Sequence, residues 1–310
     1  MKEKVSNIEL ISQYCNDAKV RGMTSESIIR YKSSLLDFNR FLTNRKVPIL
    51  EVGNNILIIY LEYLQRKNLA IKTIENYFTS ISSFFTFLEF KELVPKNPVL
   101  AIRARYLRRY KKDDEDSSER KLISLEEMKL LINSILNSRD KAIVTLFAKT
   151  GIRRDELIKI DIDDINWSEQ SIRLKPKKKR SNRTVFFDDE TARILKRWIR
   201  NREGMADGIS AIFIGEGGAR LKRSGVYNMV VKYAEAVGLS DPDSDLLEDH
   251  FTPHCCRHWF TTYLRKNGMK REFIQMLRGD RRKEAVDIYD HIDAQELRES
   301  YLACIPQLGI

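Results

Sequence analysis

The chain has 310 residues, and its 55 Lys and Arg against 44 Asp and Glu give a formal charge of +11. A hydrophobic content of 42% with only 13 Gly and 7 Pro excludes a disordered or fibrous chain and suits roughly two domains of about 150 residues. The cationic surplus favours a polyanionic partner, because it raises the local concentration of phosphate-bearing molecules. The start, MKEKVSNIEL, lacks the apolar core of a secretory signal, and the most apolar stretch, Ile56 to Leu64, is short and interrupted by Glu62. Four cysteines (Cys15, Cys255, Cys256, Cys304) show no disulfide-framework spacing. These features imply reduced thiols in a cytoplasmic setting and no membrane contact.

Residues 1–103 read as a helical unit. A first helix covers Asn7 to Val20, and a second, Ser25 to Thr43, sets Ile28, Tyr31, Leu35, Phe38 and Phe41 on one face. Ile56–Gln65 supplies a third. A fourth begins near Ile71 and aligns Ile74, Phe78, Ile81, Phe85 and Leu88. The prolines of VPKNPV (Val94–Val99) then stop the helical run. Residues 104–122 form a charged linker, basic then acidic, which is either solvated or laid with Arg105, Arg108, Arg109, Lys111 and Lys112 along a nucleic-acid backbone.

Residues 123–310 form a second unit. Ser124 and Glu127 are spaced as a capping box for a helix from Leu125 to Ile135. The single β region is Ile160–Phe187, where Ile172 and Leu174 alternate with Arg173 and Lys175, and Thr184–Phe187 is β-branched and aromatic. A basic turn, Pro176 to Arg183, joins its strands, and everything after Glu190 reads mainly as helix. The expected class is therefore mainly α, with a small antiparallel sheet in the second unit.

Four local patterns could carry chemistry. In Thr150–Leu157 a glycine ends one helix (Ala142–Lys149) and a new one starts, so Arg153 stands at a helix N-terminus with Glu156 three residues on. That arginine could grip a phosphate bidentately, or it could be an ordinary surface ion pair. The turn carrying Lys175, Lys177, Lys178, Lys179, Arg180 and Arg183 is either a solvated hairpin tip or a flexible lysine source of protons within a groove. In Thr252–His258, Thr252 suits an N-cap and Pro253 the first helical position, which makes His254 and Arg257 i,i+3 neighbours. Zinc held by His254, Cys255, Cys256 and His258 is disfavoured, since adjacent cysteines fit one tetrahedral site poorly and no second ligand pair exists. The fourth pattern is Asp287–His291, with Tyr289 on a helix beginning near Arg282.

Together and in this order the four patterns resemble the tyrosine recombinase (phage-type integrase) family, whose pattern is G-x-R-x-x-E-L, a hairpin lysine, H-x-L-R-H, L-G-H, and a tyrosine nine residues later. Here these fall on Arg153, on Lys177 in a K-x₅-R-x-V form ending at Val185, on His254–His258, on Leu277–Asp280 and on Tyr289. The resemblance spans essentially the whole chain, and its ending looks most like archaeal members. It implies a four-helix core DNA-binding domain (1–103) and a catalytic domain (123–310) that close as a C-shaped clamp on double-stranded DNA. It further implies strand cleavage through a 3′-phosphotyrosyl link by Arg153, Lys177, His254, Arg257 and Tyr289, with Glu156 and His258 in support. Lys175, Lys178, Lys179, Arg180, Arg183, Arg105, Arg108 and Arg109 would contact DNA. No cofactor or metal is implied, and the chain would form a homo-oligomer on DNA, from dimer to synaptic tetramer.

Two positions depart from the pattern: Cys256 replaces a leucine, and Asp280 stands where relatives usually carry histidine or tryptophan. An ionised aspartate only accepts hydrogen bonds and repels phosphate. Either Asp280 orients Arg257 or a lysine, or Arg278 supplies the missing donor. Two other readings share the fold: a DNA-binding protein with little catalysis, and type IB topoisomerase-like relaxation, which site specificity and multimeric synapsis would distinguish. Finally, Asp293 and Glu296 are spaced as a cap pair, and Leu297, Tyr301 and Leu302 form a stripe suited either to a neighbouring protomer or to the chain's own domain.

Overall fold

The structure, a computed structural model, describes residues 6–107, 121–175, 183–205, 208–215, 217–244, 246–280 and 292–310. The chain divides into two compact units, Met1–Ser117 and Ser118–Ile310. No described helix is long and apolar enough to cross a membrane.

The first unit is built from α1 (Asn7–Val20), α2 (Ser25–Asn44), α3 (Asn54–Arg66) and α4 (Ile71–Phe90), followed by a short α5 (Val99–Ile102). Ser6 and Thr24 cap α1 and α2 by accepting from the backbone N–H groups of Glu9 and Ser27, which would otherwise lack partners. The apolar stripes meet in one core, where Phe38 and Tyr60 pack edge-on at 4.7 Å between ring centres and Phe78, Ile81 and Phe85 fill the α4 side. Asn97, between the prolines, is buried; its amide donates to the Ser82 carbonyl (2.9 Å) and Thr86 Oγ1 (3.0 Å) and so ties the chain's exit to α4.

In the second unit, α6 (Leu125–Ser134) starts at Ser124 with both hydrogen bonds of the capping box present. Next comes α7 (Ser138–Thr150), then the single turn α8 (Arg154–Leu157). The antiparallel sheet β1–β2–β3 (Ile165–Asn166, Ser171–Leu174, Arg183–Phe186) follows, with Ile172 opposite both Ile165 and Val185. Ile172 and Leu174 are buried and Arg173 is exposed, the alternation its sequence demands. The helices α9 (Asp189–Arg202), α10 (Arg223–Ala236), α11 (Pro253–Lys266), α12 (Arg271–Arg278) and α13 (Ala294–Cys304) complete the unit. The expected mainly helical class with one small antiparallel sheet is what the chain adopts.

The large core of this unit surrounds α7, which is buried on nearly every side, and a smaller one gathers Phe260, Leu264, Phe273 and Leu277 with the C-terminal helix. Asp293 caps α13 through the Glu296 N–H, and Leu297 and Tyr301 turn into their own unit, with the Tyr301 hydroxyl donating to the Lys149 carbonyl at 2.9 Å. Of the two roles open to that stripe, packing on the chain's own unit is the one realised here. Beyond α13 the last residues fold over Lys149, a fully buried lysine. Its ammonium donates to Asp188 and Glu190 (both 2.5 Å) and to the Pro306 carbonyl, while Glu190 accepts the N–H groups of Leu308, Gly309 and Ile310. Burial resists ionisation of both carboxyls, but the Lys149 ammonium and the backbone donors outweigh it, holding Asp188 and Glu190 below the usual carboxylate range.

Candidate active site

The site is assembled where α7, α8, α11 and α12 end or begin. Gly151 follows α7 in the left-handed region (φ 58°), and a Cβ there would stand 2.4 Å from the Phe260 ring. Only glycine meets both demands, so the chain turns sharply enough to deliver Arg153 two residues later. Glu156 is buried and makes the turn rigid: its carboxylate accepts the Arg153 backbone N–H (2.7 Å), the Arg153 guanidinium (3.3 Å) and the Arg183 guanidinium (2.8 Å). The turn is fastened to α10 by Asp155–Arg223 (2.8 Å) and by Arg154 over the Tyr227 ring at 5.1 Å.

Arg257 enters from α11. Thr252 caps that helix and Pro253 occupies its first turn. The Arg257 side chain is 3% exposed and donates to the Gly151 carbonyl at 2.5 Å and to the Arg278 carbonyl at 2.7 Å. The Arg278 carbonyl, at the C-terminal, electronegative end of α12, is the hub: Arg153 (3.0 Å), Arg183 and Arg257 all donate to it. Gly279 then closes α12 with φ 60°, and a Cβ there would collide with the Arg183 guanidinium. Asp280 completes the set. Its Oδ1 accepts from Arg153 Nη2 and Arg257 Nη2, each at 3.2 Å, and its Oδ2 pairs with Arg278 Nε at 2.9 Å.

Four guanidinia (Arg153, Arg183, Arg257, Arg278) therefore share two carboxylates (Glu156, Asp280), which leaves this cluster cationic. The electrostatic cost appears at Arg257. Burial, then the neighbouring charges of Arg153, Arg278 and Arg183, pull its guanidinium down to about 9, and Asp280 alone acts to raise it. Near neutrality Arg257 remains charged, and a further anion entering the pocket would relieve the repulsion. Two arginines far apart in sequence thus converge on common acceptors, an arrangement able to bind a phosphate and to stabilise charge that develops on it.

The other expected site residues fall in several places. His254 and His258 are exposed on α11, with their rings edge-on at 5.4 Å, while Arg257 faces the interior. Cys256, in place of the leucine, is fully buried in the large core, and burial raises its thiol. All four cysteines are free. Lys175, at the end of β2, is paired with Asp161 and with Asp164 (3.5 Å). Arg183, grouped by sequence with the DNA-contacting residues of the hairpin, is 10% exposed and points inward to Glu156, so it braces the pocket. Arg105 is exposed in the first unit, its guanidinium 5.8 Å from the Tyr106 ring. Lys177, Lys178, Lys179, Arg180, Arg108, Arg109, Lys111, Lys112 and Tyr289 lie outside the described residues. Sequence reasoning missed the inward role of Arg183, and no local pattern signals it, because its partners, Glu156 and the Arg278 carbonyl, are distant in sequence.

A mostly helical chain with a small antiparallel sheet and a cluster of converging arginines is the class that fold and site define. The model of the phage integrase family matches residues 121–296, and that of the phage integrase N-terminal SAM-like domain matches residues 11–92. The chain belongs to the phage integrase family. Among similar curated proteins, a "Tyrosine recombinase XerC" of Herpetosiphon aurantiacus is 28% identical over 277 residues, covering 88% of this chain and 86% of that one. A second XerC, of Roseiflexus castenholzii, is 27% identical over 286 residues, covering 89% and 86%. Among solved structures, the Tn1549 transposon integrase in complex with circular intermediate DNA superposes with a TM-score of 0.68 at 20% identity, covering 94% of this chain and 98% of that one. A lambda integrase dimer bound to a COC′ core site gives 0.69 at 16%, covering 92% and 98%. At these identities the structures speak for the fold.

Proposed function

We propose that this site-specific recombinase binds double-stranded DNA and exchanges its strands through a covalent link to Tyr289. The observation that carries the reading is the convergence of Arg153 and Arg257 on the Arg278 carbonyl and on one oxygen of Asp280. In the step we propose, the Tyr289 phenol loses its proton, with His254 as base or phosphate-positioning partner, and its oxygen attacks phosphorus. The bond to the 5′-oxygen breaks, Lys177 protonates that oxygen, and the products are a 3′-phosphotyrosyl link and a free 5′-hydroxyl. A tyrosine alone needs strong assistance, since its ordinary pKa is about 10. Arg153 and Arg257 supply the rest by neutralising the non-bridging oxygens as charge grows, each with a rigid fork that stays protonated. Attack by a 5′-hydroxyl of another strand reverses the step and spends no nucleotide.

Each chain carries one such tyrosine, whereas exchange between two duplexes breaks four strands. Four copies are therefore needed in the complete synaptic assembly, reached through dimers on each site. Lys178, Lys179 and Arg180, with Arg105, Arg108 and Arg109, would neutralise backbone phosphates, with the first unit as the core-binding part and the second as the catalytic part. Four free thiols suit a cytoplasmic protein. The test is Tyr289→Phe on a nicked suicide substrate: DNA should still bind, and no protein–DNA adduct should survive denaturing electrophoresis. An adduct of wild-type yield would overturn the assignment.

A further inference from the structure

We infer that Asp280 is a resident anion that occupies the phosphate position of the pocket and must give way when the DNA phosphate arrives. The inference rests on the reading of Arg153 and Arg257 as the phosphate-binding pair. Three observations support it. First, Asp280 Oδ1 is shared by Arg153 Nη2 and Arg257 Nη2, where a non-bridging oxygen of a phosphate gripped by both arginines would stand. Second, the two contacts are 3.2 Å each, longer than the usual charge-assisted bond of about 2.7–2.9 Å, while Arg257 holds the Arg278 carbonyl at 2.7 Å. Both guanidinia have closer partners than Asp280 Oδ1, Arg257 at the Gly151 and Arg278 carbonyls and Arg153 at the Arg278 carbonyl (3.0 Å). Oδ1 is thus the weakly held oxygen, while Oδ2 keeps its 2.9 Å pair with the half-buried Arg278 guanidinium. Third, the Asp280 side chain is 30% exposed and its backbone is anchored, its N–H donating to the Gln275 carbonyl at 3.1 Å. A side-chain rotation, with no movement of α12, would release it to water.

A resident carboxylate has two consequences. It lowers the repulsion among the four guanidinia before DNA binds, and it makes every incoming anion compete with a charge already present. Weak or misplaced phosphates would be rejected, whereas a phosphodiester held firmly on both sides would displace it. A histidine or tryptophan at this position would add a donor and offer no such competition.

The test uses the full chain and sulfate as the probe, with affinity measured by calorimetric titration and by thermal shift. Asp280→Asn and Asp280→Ser should bind sulfate at least tenfold more tightly than the wild type. A purely structural Asp280 predicts the reverse, because loosened arginines would bind the anion less well. In the wild-type protein, the carboxylate ¹³C resonance of Asp280 should also move as sulfate is added, a measurement that needs no variant. Equal or weaker sulfate binding by both folded variants, or an unmoved Asp280 resonance at saturating sulfate, would overturn the inference. Arg153→Lys and Arg257→Lys separate this from failure of the underlying reading. If they cleave DNA like the wild type, the pair is not the phosphate site; if they lose cleavage while the Asp280 variants gain no sulfate affinity, only the resident-anion inference fails.

Discussion

Glu156 offers the sharpest test of how the pocket is built. It is 8% exposed and holds Arg183, itself 10% exposed, at 2.8 Å, together with the Arg153 guanidinium at 3.3 Å and the Arg153 N–H at 2.7 Å. Removing one partner of a buried ion pair costs about 3–5 kcal/mol, because the other charge stays desolvated. Arg183 keeps the Arg278 carbonyl, so Glu156→Ala should fall at the lower end, about 3 kcal/mol. For a unit of this size that corresponds to a Tm lower by roughly 6–12 °C. Glu156→Gln retains an acceptor and loses the charge, and should cost about half as much. Arg153 would lose its backbone anchor and one side-chain partner while keeping the Arg278 carbonyl and Asp280, and the rate loss is bounded by that of deleting one transition-state donor, about 10²–10³-fold. We expect about 10²-fold slower single-turnover cleavage for Glu156→Ala and about tenfold for Glu156→Gln, with DNA affinity nearly unchanged. A Glu156→Ala protein that melts within about 2 °C of wild type and cleaves at its rate would show that Glu156 does not hold the arginines in place.

Further outcomes follow from the same structure. Lys178→Ala, Lys179→Ala and Arg180→Ala together should flatten the slope of log K against log salt, by about one unit for each phosphate no longer neutralised; an unchanged slope would remove the hairpin from the interface. Cleavage should proceed in EDTA without nucleotide, and a metal requirement in the chemical step would point to another mechanism. Because the carboxyls of Asp188 and Glu190 are depressed in the folded protein, their stabilisation is present above the unfolded values of about 4 and is lost as pH falls through the folded ones. Thermal melts should therefore stay level from neutrality to about pH 5 and drop below about pH 4, and Lys149→Met should weaken that dependence. A melt as acid-sensitive in Lys149→Met as in wild type would contradict the role given to Lys149.

Much of the fold is legible in local patterns. Helical stripes such as Ile74–Phe78–Ile81–Phe85–Leu88 bury as their spacing requires, and the Ser124–Glu127 box forms because both groups belong to one turn. The Arg153–Glu156 pair and the Gly151 turn are equally local. The orientation of Arg183 is not, since whether a hairpin cation meets solvent or a carboxylate depends on the β2–β3 register and on Gly279 leaving room for it. Asp280 reads as a missing donor in sequence, and its place between two guanidinia is set by helices that meet only after folding. The C-terminal stripe presents the same face to any partner; its cover is set by Phe186, Phe260, Leu264 and Phe273 and by the Lys149 carbonyl, which come together only after folding.

Everything in the proposed chemistry turns on the covalent link, and mass spectrometry of the trapped wild-type complex reads that link itself. A suicide substrate is cleaved, the complex is digested with protease and nuclease, and the modified peptide is sequenced. One peptide containing Tyr289 is expected, with its oxygen esterified to a 3′-phosphate, and a free 5′-hydroxyl on the released strand. Attachment at another residue, or a link to a 5′-phosphate, would contradict the mechanism.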